Sequence, residues 1–124
     1  MIGKAKLLSL IGTARAEEAK VFYRDTLGLK FVVDDPFAIV FDMDGADLRV
    51  SKVPGFMPSA FAVLGFEVKD INAEIDAIVS RGVKMERYTF FQQDERGVWS
   101  GPDGTKVAWF KDPDGNIVSF VQPA

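Results

Sequence analysis

Hydrophobic and polar positions along this chain change period in the same order twice. Lys6 to Ile11 (KLLSLI) is a short apolar run interrupted by Ser9, which predicts a first strand. From Ala16 the period lengthens: Ala16, Ala19, Phe22, Tyr23 and Leu27 recur at spacings of three and four, with Glu17, Glu18, Lys20 and Arg24 largely opposite. That spacing predicts an amphipathic helix of roughly three turns. Thr13 is placed to cap its start and Gly28 to close its end in the left-handed region. Lys30 to Val33 restarts as a strand and Asp34-Asp35-Pro36 turns the chain. Phe37 to Asp42 and Asp47 to Lys52 then flank Met43-Asp44-Gly45-Ala46 as two antiparallel strands.

The second pass begins at Phe61 to Val68 (FAVLGFEV), another strand. Asp70 is placed to cap a helix whose Ile71, Ile75, Ile78 and Val79 follow the i, i+4, i+7, i+8 stripe, and Gly82 closes it. Val83 to Tyr88 is expected to lead into a strand, and Gln92 to Thr105 supplies polar and turn residues around Val98 and Trp99. The end of the chain, Ala108 to Val121, is two apolar runs hinged on Asp112-Pro113-Asp114-Gly115. Proline fixes φ there and glycine tolerates the left-handed region, so a tight hairpin is predicted. Between the two passes, Val53 to Ala60 carries two prolines and a glycine. Its Phe56 and Met57 are expected either to pack on the adjoining sheet or to form a flap over a pocket.

The chain therefore reads as α+β: two βαβββ modules forming a curved mixed sheet with helices on the outer face. Each module leaves one sheet face uncovered by its own helix. One domain, 1–124, is expected, with module one at about 5–52, a linker at 53–60 and module two at 61–122. Identity between the two passes is slight, so the repeat is one of pattern.

Composition narrows the chemistry. At 124 residues and 48% hydrophobic content the chain can bury a real core. A net charge of -3 and a pI near 4.9 offer no general basic field for nucleic acid, which is excluded as an expected partner. With no cysteine there is no disulfide, thiolate ligand or thiol nucleophile. With no histidine, the usual acid-base group near neutral pH and the commonest metal ligand are missing as well. No segment is long enough to span a bilayer and no signal-peptide cleavage pattern is present, so a soluble cytoplasmic protein without a membrane partner is expected.

The order βαβββ-βαβββ, the Phe22-Tyr23…Leu27-Gly28 helix end, the Gly82 helix end and the terminal FKDPDGNIVSF together resemble the vicinal oxygen chelate superfamily. That superfamily includes glyoxalase I, extradiol dioxygenases and the fosfomycin- and bleomycin-resistance proteins. The resemblance covers nearly the whole chain. It implies a homodimer with pockets formed by modules paired within or between chains, and in the metal-dependent families it implies ligands on the first and last strand of each module. Carried onto this sequence by local landmarks, those positions are Leu8 or Ser9, Arg49, Val63 and Ser119. Arginine keeps its proton, leucine and valine have no donor atom, and a serine hydroxyl is a weak neutral ligand. No metal site and no cofactor are therefore assigned.

What remains points to binding. Arg49 at a ligand's position needs an anion, a carboxylate or a carbonyl oxygen, from a small molecule or from an internal pair with Asp47 or Glu67. Asp47 shares the Arg49 face, and Glu67 the face of Val63 and Gly65; both can serve as pocket groups, with a charge solvated at the strand end as the favoured reading. Ser51, Ser119 and Ser9 can offer hydroxyls, but without a neighbouring base no serine catalysis is proposed and no catalytic residue is assigned. Core packing is expected for most of the aromatic residues concentrated in module two, including Tyr88, Phe90, Phe91 and Trp109. Trp99, in a polar, glycine-rich stretch, reads instead as a pocket mouth or dimer contact, while Asp94 and Glu95 are either an attraction for a cationic ligand or a solvated loop.

The leading expectation is a metal-independent small-molecule-binding protein that captures its ligand, as the similar bleomycin-resistance proteins do by sequestration. One alternative is a glyoxalase-like lyase or isomerase, or a dioxygenase, that recruits a metal through Asp47, Glu67 or another carboxylate. Another is a structural or regulatory dimer with a filled pocket.

Overall fold

A computed structural model describes residues 1–124, which divide into two compact units, Met1–Pro58 and Ser59–Ala124. In the first unit the strands are β1 (Leu7–Thr13), β2 (Lys30–Asp34), β3 (Ala38–Asp42) and β4 (Ala46–Lys52), in sheet order β1-β4-β3-β2. β1 runs parallel to β4 and the other pairs are antiparallel, so the sheet is mixed. The helix α1 (Ala16–Val21) continues as a wider π turn over Phe22–Thr26 and ends with Gly28 at φ +74°. Its fully buried Tyr23 meets Phe41 of β3 at 6.0 Å between ring centroids, which fixes the helix on the face carrying Phe41, Leu48 and Val50.

Thr13 acts differently from the expected cap. Its hydroxyl accepts the Arg15 N–H at 3.0 Å while Arg15 itself occupies the cap position, so Thr13, 1% exposed, ties the strand-to-helix loop.

One polar cluster ties this unit together. Asp34 at the end of β2 receives Lys20 of α1 at 3.3 Å and Lys52 of β4, and Lys20 also stands 5.1 Å over the Phe31 ring. The Lys52 hydrogen bond, seconded by Lys20, holds the Asp34 carboxyl below the usual aspartate range. A depressed folded-state pKa contributes stability that is present above the unfolded value of about 3.9 and is lost as pH falls through the folded value. Asp34→Asn should therefore be less stable than the parent at pH 7 and lose less stability between pH 7 and pH 2. Urea unfolding at the two pH values reads this directly; identical losses in both proteins would refute the linkage.

The second unit repeats the plan with β5 (Ala62–Glu67), α2 (Ile71–Ser80), β6 (Trp99–Ser100), β7 (Lys106–Lys111) and β8 (Ile117–Gln122), in sheet order β5-β8-β7-β6. β5 and β8 are parallel and the other two pairs antiparallel. Asp70 caps α2 as expected, accepting the Ala73 N–H at 3.1 Å. Ile71, Ile75 and Ile78 are buried, whereas Val79 is 47% exposed. Phe110 and Phe120 pack at 5.0 Å on the sheet face that also carries the buried Ala108 and Val118.

Val83 to Tyr88 does not form the expected strand. Met85 makes an isolated bridge with Phe110, and the Glu86 N–H donates to the Trp109 carbonyl at 2.8 Å, before Tyr88 turns away. The rest of that β7 edge is taken by Trp99 and Ser100, opposite Val107 and Lys106. Two separate segments share the edge that one strand was expected to fill.

The architecture is thus two βαβββ-like modules, each a mixed sheet with a helix covering one face. No helix is long and apolar enough to cross a membrane.

Candidate functional site

In each unit, strand alternation leaves a row of side chains on the face away from the helix. In the first unit Asp47, Arg49 and Ser51 share that face on β4, beside Leu8 and Leu10 of β1 and Val40 of β3. Ser9 lies opposite the buried Leu48 and so belongs to the helix side; of the two first-strand candidates, Leu8 shares the open face. Leu8 and Leu10 are 48% and 61% exposed, an apolar surface that sequence reading missed because a strand's leucines are ordinarily assigned to a core.

Arg49 lies directly between Leu10 and Val40 in register and is half-buried. It forms no ion pair with Asp47, which instead takes Lys6 at 3.1 Å. No hydrogen bond or ion pair engages the guanidinium; its field reaches Asp35, whose carboxyl is lowered first by the Phe37 and Ala38 backbone N–H groups and further by Arg49. Ser51 sits opposite Gly12, and the Phe56 ring occupies the space that a Gly12 side chain would need. Phe56 thus packs on the adjoining sheet, while Met57 beside it is 82% exposed.

In the second unit Ser119 lies opposite Gly65 on one side and Trp109 on the other. A Cβ on Gly65 would come within 3.1 Å of the Ser119 oxygen, so the glycine is what leaves the hydroxyl room. Ser119 is 7% exposed and its hydroxyl lies 3.4 Å from the Leu64 carbonyl, a weak bond. Val63 falls at the irregularity where β5 skips a residue in its pairing with β8. Glu67, opposite Val121 at the end of β5, is exposed.

Beside Ser119 the aromatic residues form a connected set. Phe91 stacks on Trp109 at 4.9 Å with planes 8° apart and meets Trp99 at 5.4 Å, and Tyr88 stands edge-on to Trp109 at 5.5 Å. Trp99 also packs over Gly101, where a Cβ would stand 3.2 Å from its ring. Its demand for packing is met within the unit, contrary to what its polar surroundings implied, though part of it stays open and borders a shallow groove of about 470 Å³ with Gln92, Asp94 and Ser100. Asp94 is engaged in its own loop, accepting the Arg96 and Val98 N–H groups, and Glu95 is solvated beside it.

The donor set does not suit a divalent metal. Leu8, Arg49, Val63 and Ser119 offer hydrocarbon, a fixed cation and one neutral hydroxyl. Nor does any group of three or more carboxylates converge where it could hold an ion.

Residues 7–120 match the Glyoxalase/Bleomycin resistance protein/Dioxygenase superfamily. The chain belongs to this superfamily. No curated protein sequence matches. Among solved superfamily structures, a member from Sphaerobacter thermophilus DSM 20745 is 23% identical, with 94% of each chain covered and a TM-score of 0.73. A lactoylglutathione lyase from Agrobacterium tumefaciens is 16% identical over 96% of this chain and 93% of its own, with a TM-score of 0.74. An antibiotic binding protein from Streptomyces sp. CB03234 is 22% identical over 98% of both chains, with a TM-score of 0.70. At these identities the three structures share a fold with this chain while one is named for a reaction and another for binding, so the site and not the fold must decide between them.

Proposed function

We propose that this superfamily member is a metal-independent small-molecule-binding protein that captures its ligand on an open sheet face and makes or breaks no bond in it. The observation that carries this reading is the half-buried Arg49, without a hydrogen-bond or ion-pair partner, at the position to which the superfamily resemblance assigns a metal ligand. A guanidinium there repels a divalent cation and attracts an acidic or carbonyl oxygen. Leu8 and Leu10 beside it suit the apolar body of such a ligand. The second unit, taken by itself, offers the Ser119 hydroxyl and the flat surfaces of its aromatic set. The antibiotic binding protein among the structural neighbours supports the reading by likeness of fold.

The test is a thermal-shift screen of tag-free protein against divalent metals and against acidic, aromatic and cationic small molecules. A ligand held by the native state alone raises stability by RT ln(1 + [L]/Kd). Saturable shifts of several degrees with organic compounds, and none with metals, are expected. A saturable metal shift would reverse the reading in favour of a glyoxalase-like or dioxygenase activity.

A further inference from the structure

One polar group in the second unit is left without a use. The Tyr88 hydroxyl is shut off from solvent and has no hydrogen-bond partner, although its backbone N–H is held by Gln93 at 2.8 Å. Over the Tyr88 ring lies Phe90, stacked at 5.6 Å with planes 29° apart and 4.7 Å from Phe91. Phe90 is 76% exposed, so it stacks on the Tyr88 ring while gaining little burial of its own. It sits at the tip of a short turn closed by the Phe91 N–H on the Tyr88 carbonyl at 3.2 Å. A large apolar ring held in water over an unsatisfied phenol is a poor final state for both groups.

We infer that Phe90 is a displaceable cover, and that a planar aromatic ligand bearing a neutral acceptor oxygen takes its place and accepts the Tyr88 hydroxyl proton. This deepens the capture reading and rests on it. The surroundings choose the acceptor. Glu86, joined to the β7 backbone at Trp109 and 3.6 Å from Lys111, places a carboxylate near Tyr88. A second anion on the ligand would be repelled there. A cation would be drawn to the rings but cannot accept a hydrogen bond, and would leave the phenol as it is. A ketone, amide or ester oxygen meets both conditions, and the plane of the ligand finds Tyr88 on one side and Phe91, backed by Trp109, beside it.

The experiment compares 2-acetylnaphthalene with 2-ethylnaphthalene, which differ in the carbonyl, by ligand-observed NMR titration of the full chain. The parent should bind the ketone about fivefold to tenfold more tightly, the usual worth of one hydrogen bond. Tyr88→Phe should erase that preference and keep the affinity for 2-ethylnaphthalene. Phe90→Ala should tighten both probes, because the cover is gone. Equal affinities in the parent, a preference that survives Tyr88→Phe, weaker binding in Phe90→Ala, or no binding of either probe would each overturn the inference. Such a failure alongside organic thermal shifts leaves the capture reading standing, whereas metal shifts without organic ones remove both.

Discussion

Asp112→Ala is expected to lower the stability of the chain by about 3 kcal/mol, a large share of what a domain of this size holds. Asp112 is 5% exposed at the β7–β8 turn. Its carboxylate accepts the Asp114 N–H at 3.0 Å, the Asn116 N–H at 2.9 Å and the Asn116 side-chain amide at 2.9 Å. Asn116 is 2% exposed, so water does not replace a lost partner. Hydrogen bonds to a charged acceptor contribute more than neutral ones, and truncation leaves buried donors unsatisfied. The same turn sets the register between β7 and β8, and that register places Ser119 opposite Trp109. Asp112→Asn keeps one acceptor oxygen and should lose roughly half as much. Chemical unfolding measures both; a cost below about 1 kcal/mol for the alanine variant would mean the turn is held by its backbone alone.

Most of the fold was legible because its signals are local. The 3.6-residue stripe of Ile71, Ile75 and Ile78, the Asp70 cap and the Asp112-to-Gly115 hinge each depend on residues within a turn or two of one another. What escaped depends on competition between distant segments. Val83 to Tyr88 has a strand's composition, but the β7 edge it needs is shared with Trp99 and Ser100, and no local pattern foretells how an edge is divided.

The candidate site divides in the same way. That Asp47, Arg49 and Ser51 share a face follows from alternation, and the register with β1 then places Leu8 with them and Ser9 against Leu48. The partner of Asp47 was not legible: Lys6 lies 41 positions away in sequence and reaches it only because β1 and β4 run parallel. The unsatisfied hydroxyl of Tyr88 was invisible for the same reason, since a tyrosine among phenylalanines reads as core until every possible partner has been placed.

Arg49→Ala should weaken the binding of 2-naphthoate, an apolar carboxylate, by about 30- to 100-fold while leaving the melting temperature of the free protein nearly unchanged. The two outcomes separate because Arg49 forms no ion pair in its own unit and acts on Asp35 only through its charge at a distance. On the ligand side the half-buried guanidinium gains both the Coulomb term and a two-pronged hydrogen bond that the carboxylate geometry fits. Arg49→Lys keeps the charge and loses the fork, so its affinity should fall between the two. Lys6→Ala is the control, since it removes an exposed cation whose pair with Asp47 contributes little, and it should leave naphthoate binding within a factor of about two. If Arg49→Ala binds naphthoate as the parent does, the cation on this face is a solvated charge, and the reading of the site moves wholly to the aromatic residues beside Ser119.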